Sequence, residues 1–157
     1  MDLRLNERQK MFKKAAAGFV KAEAPSHVLT QWFRNKTTFL PDLYRKGADL
    51  GWLGMVIPEQ YGGASASFTD LAVVFEELGR GPLPGPFFSS GVLSALIVLE
   101  GASEAQKKSL LPAICSGQSI VIAAITDKGV HWGVESVETR LSRTAAGLVT
   151  NLNADLL

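Results

Sequence analysis

The chain contains 157 residues, of which 46% are hydrophobic and 20% are charged, so it can bury a core within one domain or within one domain and part of a second. Its formal net charge of +1 excludes a strong electrostatic attraction to nucleic acid or to anionic membranes. The single cysteine, Cys115, excludes a disulfide framework, and neither His27 nor His131 has carboxylates at zinc-ligand spacing.

Helical periodicity opens the chain. Asn6 and Gln9 form the pattern of a capping box, and the apolar residues that follow recur at helical spacing, which predicts an amphipathic helix over residues 6–23. Pro25 ends this helix, because proline cannot continue the hydrogen-bond ladder. Residues 26–40 are predicted to be irregular or to form one short helix.

The next stretch mixes helix, extended chain and loop. Pro41 suits the first turn of a helix, since its missing N–H would be unsatisfied there in any case. The apolar residues 51–58 are predicted to be extended. Residues 59–63 end in two glycines and are predicted to form a loop, because paired glycines favour tight turns.

A well-marked helix begins after Ser67, which has Asp70 three residues further on, and is predicted to end at Gly79. The prolines and glycines of residues 81–86 predict a rigid loop. Residues 87–100 are small and apolar, so we expect a segment that is buried on most of its surface.

The last predicted helix has the clearest start in the chain. Ser103 and Gln106 form a capping box, and the helical pattern reaches Leu111. Pro112 is predicted to kink or restart the helix.

Beyond Gly117 the pattern changes to strands, predicted at residues 119–125, 135–141 and 147–152. Helices followed only by strands indicate two successive units. We therefore predict a mainly α fold: an up-and-down helical domain of about five or six helices over residues 1–117, then the first strands of a truncated antiparallel β-domain over residues 118–157.

The ends of the chain and its apolar runs lead to three further expectations. Charged residues interrupt the amino-terminal segment, and the longest apolar run, residues 95–99, is too short to span a bilayer, so we expect a cytoplasmic protein with a buried, unreactive Cys115. The apolar ending suggests a sheet that has been cut, and thus a fragment. Its unpaired edges near Val149 and Leu152 predict association with another chain.

Few residues carry chemistry by their pattern alone. Residues 79–81 resemble the start of a phosphate-binding loop, but they follow a helix instead of a strand, so a dinucleotide site is rejected. Glu76 and Glu77 are adjacent on one helix and point about 100° apart, so they cannot act together on one substrate. We expect surface or loop-anchoring roles for both. Thr126 and Asp127 suit either a strand-to-loop cap or a ligand contact, and the residue types favour the cap.

The aromatic residues of the helical part are core candidates first and ligand contacts second, because large apolar side chains are mostly buried. They are Trp52, Phe68, Phe75, Phe87 and Phe88.

Four ordered motifs resemble the acyl-CoA dehydrogenase family. Residues 50–63 are similar to its "GxxG" turn followed by "PEEYGG", and residues 75–80 to its "EELGR" helix end. Residues 101–112 resemble "GSEEQK…LLP", and residues 117–127 resemble "SGE…A…TE". Each motif is weak alone, but the ordered set covers residues 1–127. Residues 82–87 are similar to the branch of the family that acts on sterol-like and other unusual acyl chains.

The resemblance implies a three-part FAD enzyme with a helical domain, a β-domain and a carboxyl-terminal helical bundle. A glutamate in the bundle removes the α-proton of an acyl-CoA substrate, the β-hydride passes to the flavin, and a 2,3-enoyl-CoA results. An electron-transferring flavoprotein commonly reoxidises the flavin and docks partly on the amino-terminal domain. The resemblance also implies a homo- or hetero-oligomer.

The resemblance further assigns roles to four residues of this chain. Ile125 and Thr126 match positions whose backbone and hydroxyl contact the flavin, and Phe88 and Val92 match positions that line the acyl pocket. No catalytic residue is expected here, since the glutamate belongs to the bundle. We expect the chain alone to be inactive and to bind FAD weakly or not at all, because most of the cofactor cradle is missing.

The sequence departs from the family pattern after the first predicted strand. The family continues "TEPxxGSD", whereas residues 126–133 read TDKGVHWG. Bulky His131 and Trp132 stand where small residues hold cofactor and substrate. This change supports an alternative hypothesis, in which the protein is a non-catalytic partner subunit or interaction module with impaired flavin binding.

Overall fold

A computed structural model describes residues 4–36, 39–124, 140–144 and 147–151. It divides into two compact units, Met1–Ile122 and Ala123–Leu157. Among the described residues, the first unit holds six α-helices and the second an antiparallel pair of strands, so the predicted mainly α fold with five or six helices is confirmed. The predicted domain boundary after Gly117 stays a prediction. The elements are α1 Glu7–Glu23, α2 Ser26–Arg34, α3 Pro41–Asp49, α4 Phe68–Arg80, α5 Ala95–Gly101, α6 Glu104–Cys115, β1 Arg140–Thr144 and β2 Gly147–Asn151.

Side-chain caps begin three of the helices where the sequence predicts them. Complete capping boxes join Asn6 to Gln9 at α1, Ser67 to Asp70 at α4, and Ser103 to Gln106 at α6. Each box satisfies backbone N–H groups that a helix start leaves without partners. These starts are therefore determined by residues only three positions apart.

The core of the helical unit lies between α1 and α4 and beneath α5 and α6. Helix α1 packs along α4, and Trp52, which is 4% exposed, fills the space below them. The Trp52 ring meets Phe19 of α1 edge to face, with 4.8 Å between ring centroids. A second apolar cluster, made of Ile57, Tyr61, Ala95, Val98, Leu111 and Ile114, joins α5 to α6.

The prediction of an extended chain over residues 51–58 is wrong. Trp52–Gly54 form a 3₁₀ turn, and Glu59–Tyr61 form another where a loop was predicted. The N–H groups of Gly54 and Ile57 donate to carbonyls three residues back, at 3.2 and 3.1 Å. Residues 52–55 are all buried, and a short apolar run that is covered on every side shows no periodicity that distinguishes strand from turn.

Two helices extend past their predicted ends. Helix α4 continues through Gly79 to Arg80, and α6 continues through Pro112 to Cys115. The proline costs α6 one backbone hydrogen bond, but the carbonyl of Pro112 still accepts the Ser116 N–H at 3.0 Å. Buried Leu111 and Ile114 hold this last turn in the core.

The predicted strands have different outcomes. Strand β2 confirms the prediction at residues 147–152, and it pairs antiparallel with β1, with Thr144 opposite Gly147. Of the strand predicted at residues 135–141, residues 135–139 lie outside the described residues, and residues 140–141 belong to β1. Residues 119–124 form no strand, so that prediction is wrong for the described part: the N–H groups of Ser119 and Val121 bond to α6 and to a serine side chain instead.

Candidate functional site

An apolar cleft of about 310 Å³ opens between α4 and the segment that leads into α5. It contains both predicted substrate residues, Phe88 and Val92, although they come from the resemblance and not from any residue pattern. All eight lining residues have hydrocarbon side chains: Phe68, Leu71, Ala72, Phe75, Phe88, Val92, Leu93 and Leu96. Such a surface suits a hydrocarbon ligand and offers nothing to a charged one.

One wall of the cleft is a single face of α4. Phe68, Leu71, Ala72 and Phe75 stand at positions i, i+3, i+4 and i+7, so their side chains lie on the same side of the helix. This face of α4 lines the cleft, and Leu71 within it, which is 5% exposed, also belongs to the core.

The opposite wall comes from a π-helical turn, Ser89–Ser94, which the sequence did not predict. The Ser94 hydroxyl donates to the Ser89 carbonyl at 2.8 Å and bridges this wide turn from within. Gly91 places the turn directly against the chain at Leu53, because a Cβ at this position would lie 3.0 Å from Leu53 Cα. The buried backbone at Leu53 therefore supports this wall of the cleft.

The aromatic residues at the mouth of the cleft are exposed. Phe68 and Phe88 are 61% and 54% exposed, so the expectation that they are core residues first is wrong, whereas Trp52 and Phe87 are buried as expected. Phe88 meets Phe75 edge to face across the cleft, with 6.0 Å between ring centroids. Val92 is 2% exposed and lies at the inner end. Exposed aromatic rings that flank one cleft indicate a binding surface.

The ionisable groups of α4 face away from this cleft. Asp70 is buried and accepts hydrogen bonds from Arg8 and Gln9 of α1 and from the Ser67 backbone N–H. Burial alone would raise the pKa of Asp70, but the hydrogen bonds from Ser67 and Gln9 and the charge of Arg8 outweigh it and lower the pKa overall. Asp70 therefore joins α1 to α4 as a carboxylate.

Glu76 has the surface role expected of it, but the expectation of a surface or loop-anchoring role is wrong for Glu77, which is buried and pairs with Lys13 of α1 and Arg80 of α4. Glu76 is exposed and accepts a hydrogen bond from Arg80 Nη2 at 2.6 Å, which lowers the pKa of Glu76. Glu77 is buried, and its carboxylate lies 3.1 Å from Arg80 Nε and 3.5 Å from Lys13 Nζ. Both carboxylates are held by cations, and neither lines the cleft.

Cys115 lies beside a second cavity, of about 320 Å³, that is lined mainly by glycine and alanine. The thiol is half-buried, and its sulfur lies 3.8 Å from the Tyr61 carbonyl oxygen. The expectation of a buried cysteine is therefore met only in part, and this partial burial raises the pKa of the thiol, which favours an unreactive group.

The remaining predicted site residues cannot be placed. Ile125, Thr126 and His131 lie outside the described residues. Within the described part of the chain, no three histidine, cysteine, aspartate or glutamate side chains come together to hold a metal ion. Among the same residues, no helix is long and apolar enough to cross a membrane.

Sequence reasoning from residue types missed most of the cleft. Residue type predicts Phe68 and Phe75 of α4 to be core residues, because helical spacing reveals a common face but not what covers it. Leu93 and Leu96 had the same ambiguity in an apolar run.

Comparisons with known proteins agree with this arrangement. Residues 6–118 match the family model described as acyl-CoA dehydrogenase, N-terminal domain. The chain is 31% identical over 140 residues to mitochondrial isobutyryl-CoA dehydrogenase of Bos taurus, covering 88% of this chain and 33% of that protein. It is 28% identical over 137 residues to (2S)-methylsuccinyl-CoA dehydrogenase of Cereibacter sphaeroides, covering 87% and 25%. The chain thus spans about a third or less of the length of these relatives.

Solved structures have the same fold. A glutaryl-coenzyme A dehydrogenase in complex with glutaryl-CoA superposes with a TM-score of 0.84 at 25% identity, covering 96% of this chain and 39% of that one. An acyl-CoA dehydrogenase from Bacillus anthracis, complexed with FAD, gives 0.79 at 26% identity, covering 94% and 26%.

Proposed function

The chain belongs to the acyl-CoA dehydrogenase family, and we propose on this basis that it forms the amino-terminal helical wall of an FAD-dependent oxidoreductase that converts acyl-CoA thioesters to 2,3-enoyl-CoA. The single observation that carries the proposal is the apolar cleft, in which Phe88 and Val92 line one hydrocarbon surface with the outer face of α4. The match over residues 6–118 includes every residue of the cleft.

The role of this chain is to bind the acyl tail and to exclude solvent water from it. Each methylene group of a saturated chain that is buried contributes about 0.8 kcal/mol to the free energy of binding, and every lining side chain of the cleft is a hydrocarbon that can make such contacts. The edge-to-face pair of Phe75 and Phe88 narrows the mouth and keeps water from the buried tail. Uniform binding of this kind positions the substrate and does not by itself accelerate the reaction.

The reactive groups belong elsewhere in the proposed enzyme. FAD, when bound, supplies the hydride acceptor, and the resemblance assigns its contacts to Ile125 and Thr126. The carboxylates of Glu76 and Glu77 are held by Arg80 and are unsuited to abstract a proton from a ligand in the cleft. A base from a carboxyl-terminal bundle, as in the family, would remove the α-proton. An electron-transferring flavoprotein would reoxidise the flavin, and the working form would be an oligomer.

Binding of a saturated acyl-CoA to the 157-residue chain tests the role of the cleft. Lauroyl-CoA, titrated calorimetrically, should bind more tightly than coenzyme A alone. Phe88→Asp should weaken the binding of lauroyl-CoA at least about tenfold, because a carboxylate at the mouth would have to lose its hydration beside the tail.

Ile97→Asp is the matched control. Ile97 is 46% exposed and lies in α5 close to the cleft, but it does not line it. The affinity of this variant for lauroyl-CoA should equal that of the unmodified chain. Equal losses in the two variants, or equal affinities for lauroyl-CoA and coenzyme A, would show that the cleft does not hold the acyl tail.

A second candidate function is a non-catalytic partner subunit or interaction module. The altered residues 126–133, TDKGVHWG, favour it because they lack the Gly-Ser-Asp of the family pattern. Flavin fluorescence separates this question from acyl binding. We expect the chain alone to bind FAD weakly or not at all, and we expect it to reduce no acceptor dye when lauroyl-CoA is added. Tight stoichiometric FAD binding would contradict both this expectation and the second candidate function.

A further inference from the structure

Ser90 connects the cleft wall to the chain that follows α6. This serine lies in the π-helical turn Ser89–Ser94 and is fully buried. Its Oγ accepts a hydrogen bond from the Val121 backbone N–H at 3.1 Å. Val121 belongs to residues 119–124, which carry no strand pairing, and this bond and that of Ser119 N–H to the Ala113 carbonyl are two of the anchors of the segment.

The same turn also carries the cleft wall. Phe88 and Val92 stand on either side of Ser90 in the chain, and both line the cleft. The turn is held from behind by the close approach of Gly91 to Leu53. Phe88, Ser90 and Val92 thus share one short backbone segment, so a shift of this segment would move the Ser90 hydroxyl together with the cleft wall.

Tyr44 of α3 contacts the same serine from the core. Its hydroxyl is buried and makes no hydrogen bond of ordinary geometry, the one such buried side-chain atom in the described part of the chain. Burial raises the pKa of Tyr44, and the nearby Ser90 hydroxyl opposes that rise. Ser90 is thus the polar group between an unsatisfied core hydroxyl and the backbone of Val121.

We propose that Ser90 is a positioning residue that couples occupancy of the apolar cleft to the placement of Val121. The proposal deepens the acyl-binding function given above and rests on it. In sequence, Val121 shortly precedes Ile125 and Thr126, the residues that the resemblance assigns to the flavin. An acyl tail in the cleft would thereby help to hold the chain that leads into them.

Amide hydrogen exchange of Val121, followed by NMR in the 157-residue chain, tests the coupling. Ser90→Ala should accelerate exchange at Val121 on the order of tenfold, because the N–H loses its acceptor. Ser89→Ala is the matched control: Ser89 lies in the same turn, and the substitution keeps its backbone carbonyl, which accepts the Ser94 hydroxyl at 2.8 Å, so exchange at Val121 should not change.

A double-mutant cycle with Phe88→Ala measures a coupling that a purely structural role would not produce. Truncating the wall should change exchange at Val121 when Ser90 is present and should have no further effect in Ser90→Ala. Independent, multiplying effects of the two substitutions would overturn the proposal, as would unchanged exchange in Ser90→Ala.

Lauroyl-CoA provides the second arm and separates the two proposals. In the unmodified chain the ligand should slow exchange at Val121, and in Ser90→Ala it should bind without this protection. If lauroyl-CoA does not bind, the proposed acyl function fails, while the double-mutant cycle still decides whether Ser90 links the wall to Val121. Binding that leaves exchange at Val121 unchanged in the unmodified chain would overturn the coupling alone.

Discussion

Replacing Asp70 by asparagine should destabilise the helical unit more than any other single charge removal on α4. The carboxylate side chain is 1% exposed and accepts hydrogen bonds from Arg8, from Gln9 Nε2 at 3.1 Å and from the Ser67 N–H at 3.1 Å. Asparagine keeps one acceptor oxygen and turns the other into a donor, which then faces other donors.

The magnitude follows from these contacts. A buried donor that loses its partner costs about 1–3 kcal/mol. The pair with Arg8 adds at most about 1 kcal/mol, because the Arg8 side chain is 60% exposed and can be rehydrated. The free energy of unfolding should fall by about 2–3 kcal/mol, and Tm by roughly 5–10 °C.

The pH dependence gives an independent check. The pKa of Asp70 is lower in the folded chain than its ordinary value, so the ionised carboxylate stabilises the fold. This stabilisation is complete above the ordinary aspartate pKa and is lost as the pH falls through the lowered folded pKa. Asp70→Asn should therefore lose part of the acid-induced decline that the unmodified chain shows.

Urea unfolding across a series of pH values measures both effects, with Glu76→Gln as the control. Glu76 lies on the same helix but is exposed, and its pair with Arg80 should matter little to stability. The reasoning would be refuted if Asp70→Asn unfolded at the same urea concentration as the unmodified chain, or if their acid profiles coincided.

Three further predictions concern packing and burial. Gly63→Ala should destabilise the fold strongly, since the new Cβ would lie 2.0 Å from the Ile57 carbonyl oxygen. Gly79→Ala, with open space around it in α4, should raise the free energy of unfolding by about 1 kcal/mol. Urea midpoints that do not separate in this order would contradict the prediction. Tyr44→Phe should leave the free energy of unfolding unchanged or raise it by about 1 kcal/mol, because it deletes a buried hydroxyl that has no hydrogen bond, and a clear loss in calorimetry would reveal a partner. The Cys115 thiol should react with a disulfide reagent more slowly than a free thiol at mildly alkaline pH, because burial raises its pKa; equal rates would show that the site is open.

The resemblance and the residue patterns predicted different parts of this protein. Helix starts at Asn6, Ser67 and Ser103 followed from the residues alone, because a capping box joins side chains and backbone only three positions apart. The assignment of Phe88 and Val92 to one pocket came from the resemblance to the family, although the two residues also stand four positions apart, the spacing that places side chains on one face of a helix.

Errors arose where burial depended on distant parts of the chain. The run at residues 51–58 was predicted to be extended, yet it forms turns that α3, α6 and the π-helical turn enclose. A composition of buried apolar residues is the same for a strand and for an enclosed turn, so the residues alone could not decide between them.

The sequence by itself determined the mainly α fold and the starts of three helices, because caps and helical periods are local. Only the tertiary structure decided that Phe68 and Phe88 are exposed at one cleft, that Asp70 faces α1, and that the Ser90 hydroxyl bonds to Val121. The physical reason is that a helical repeat orients side chains relative to their own axis, whereas the solvent exposure and hydrogen-bond partners of those side chains depend on which elements pack against that axis.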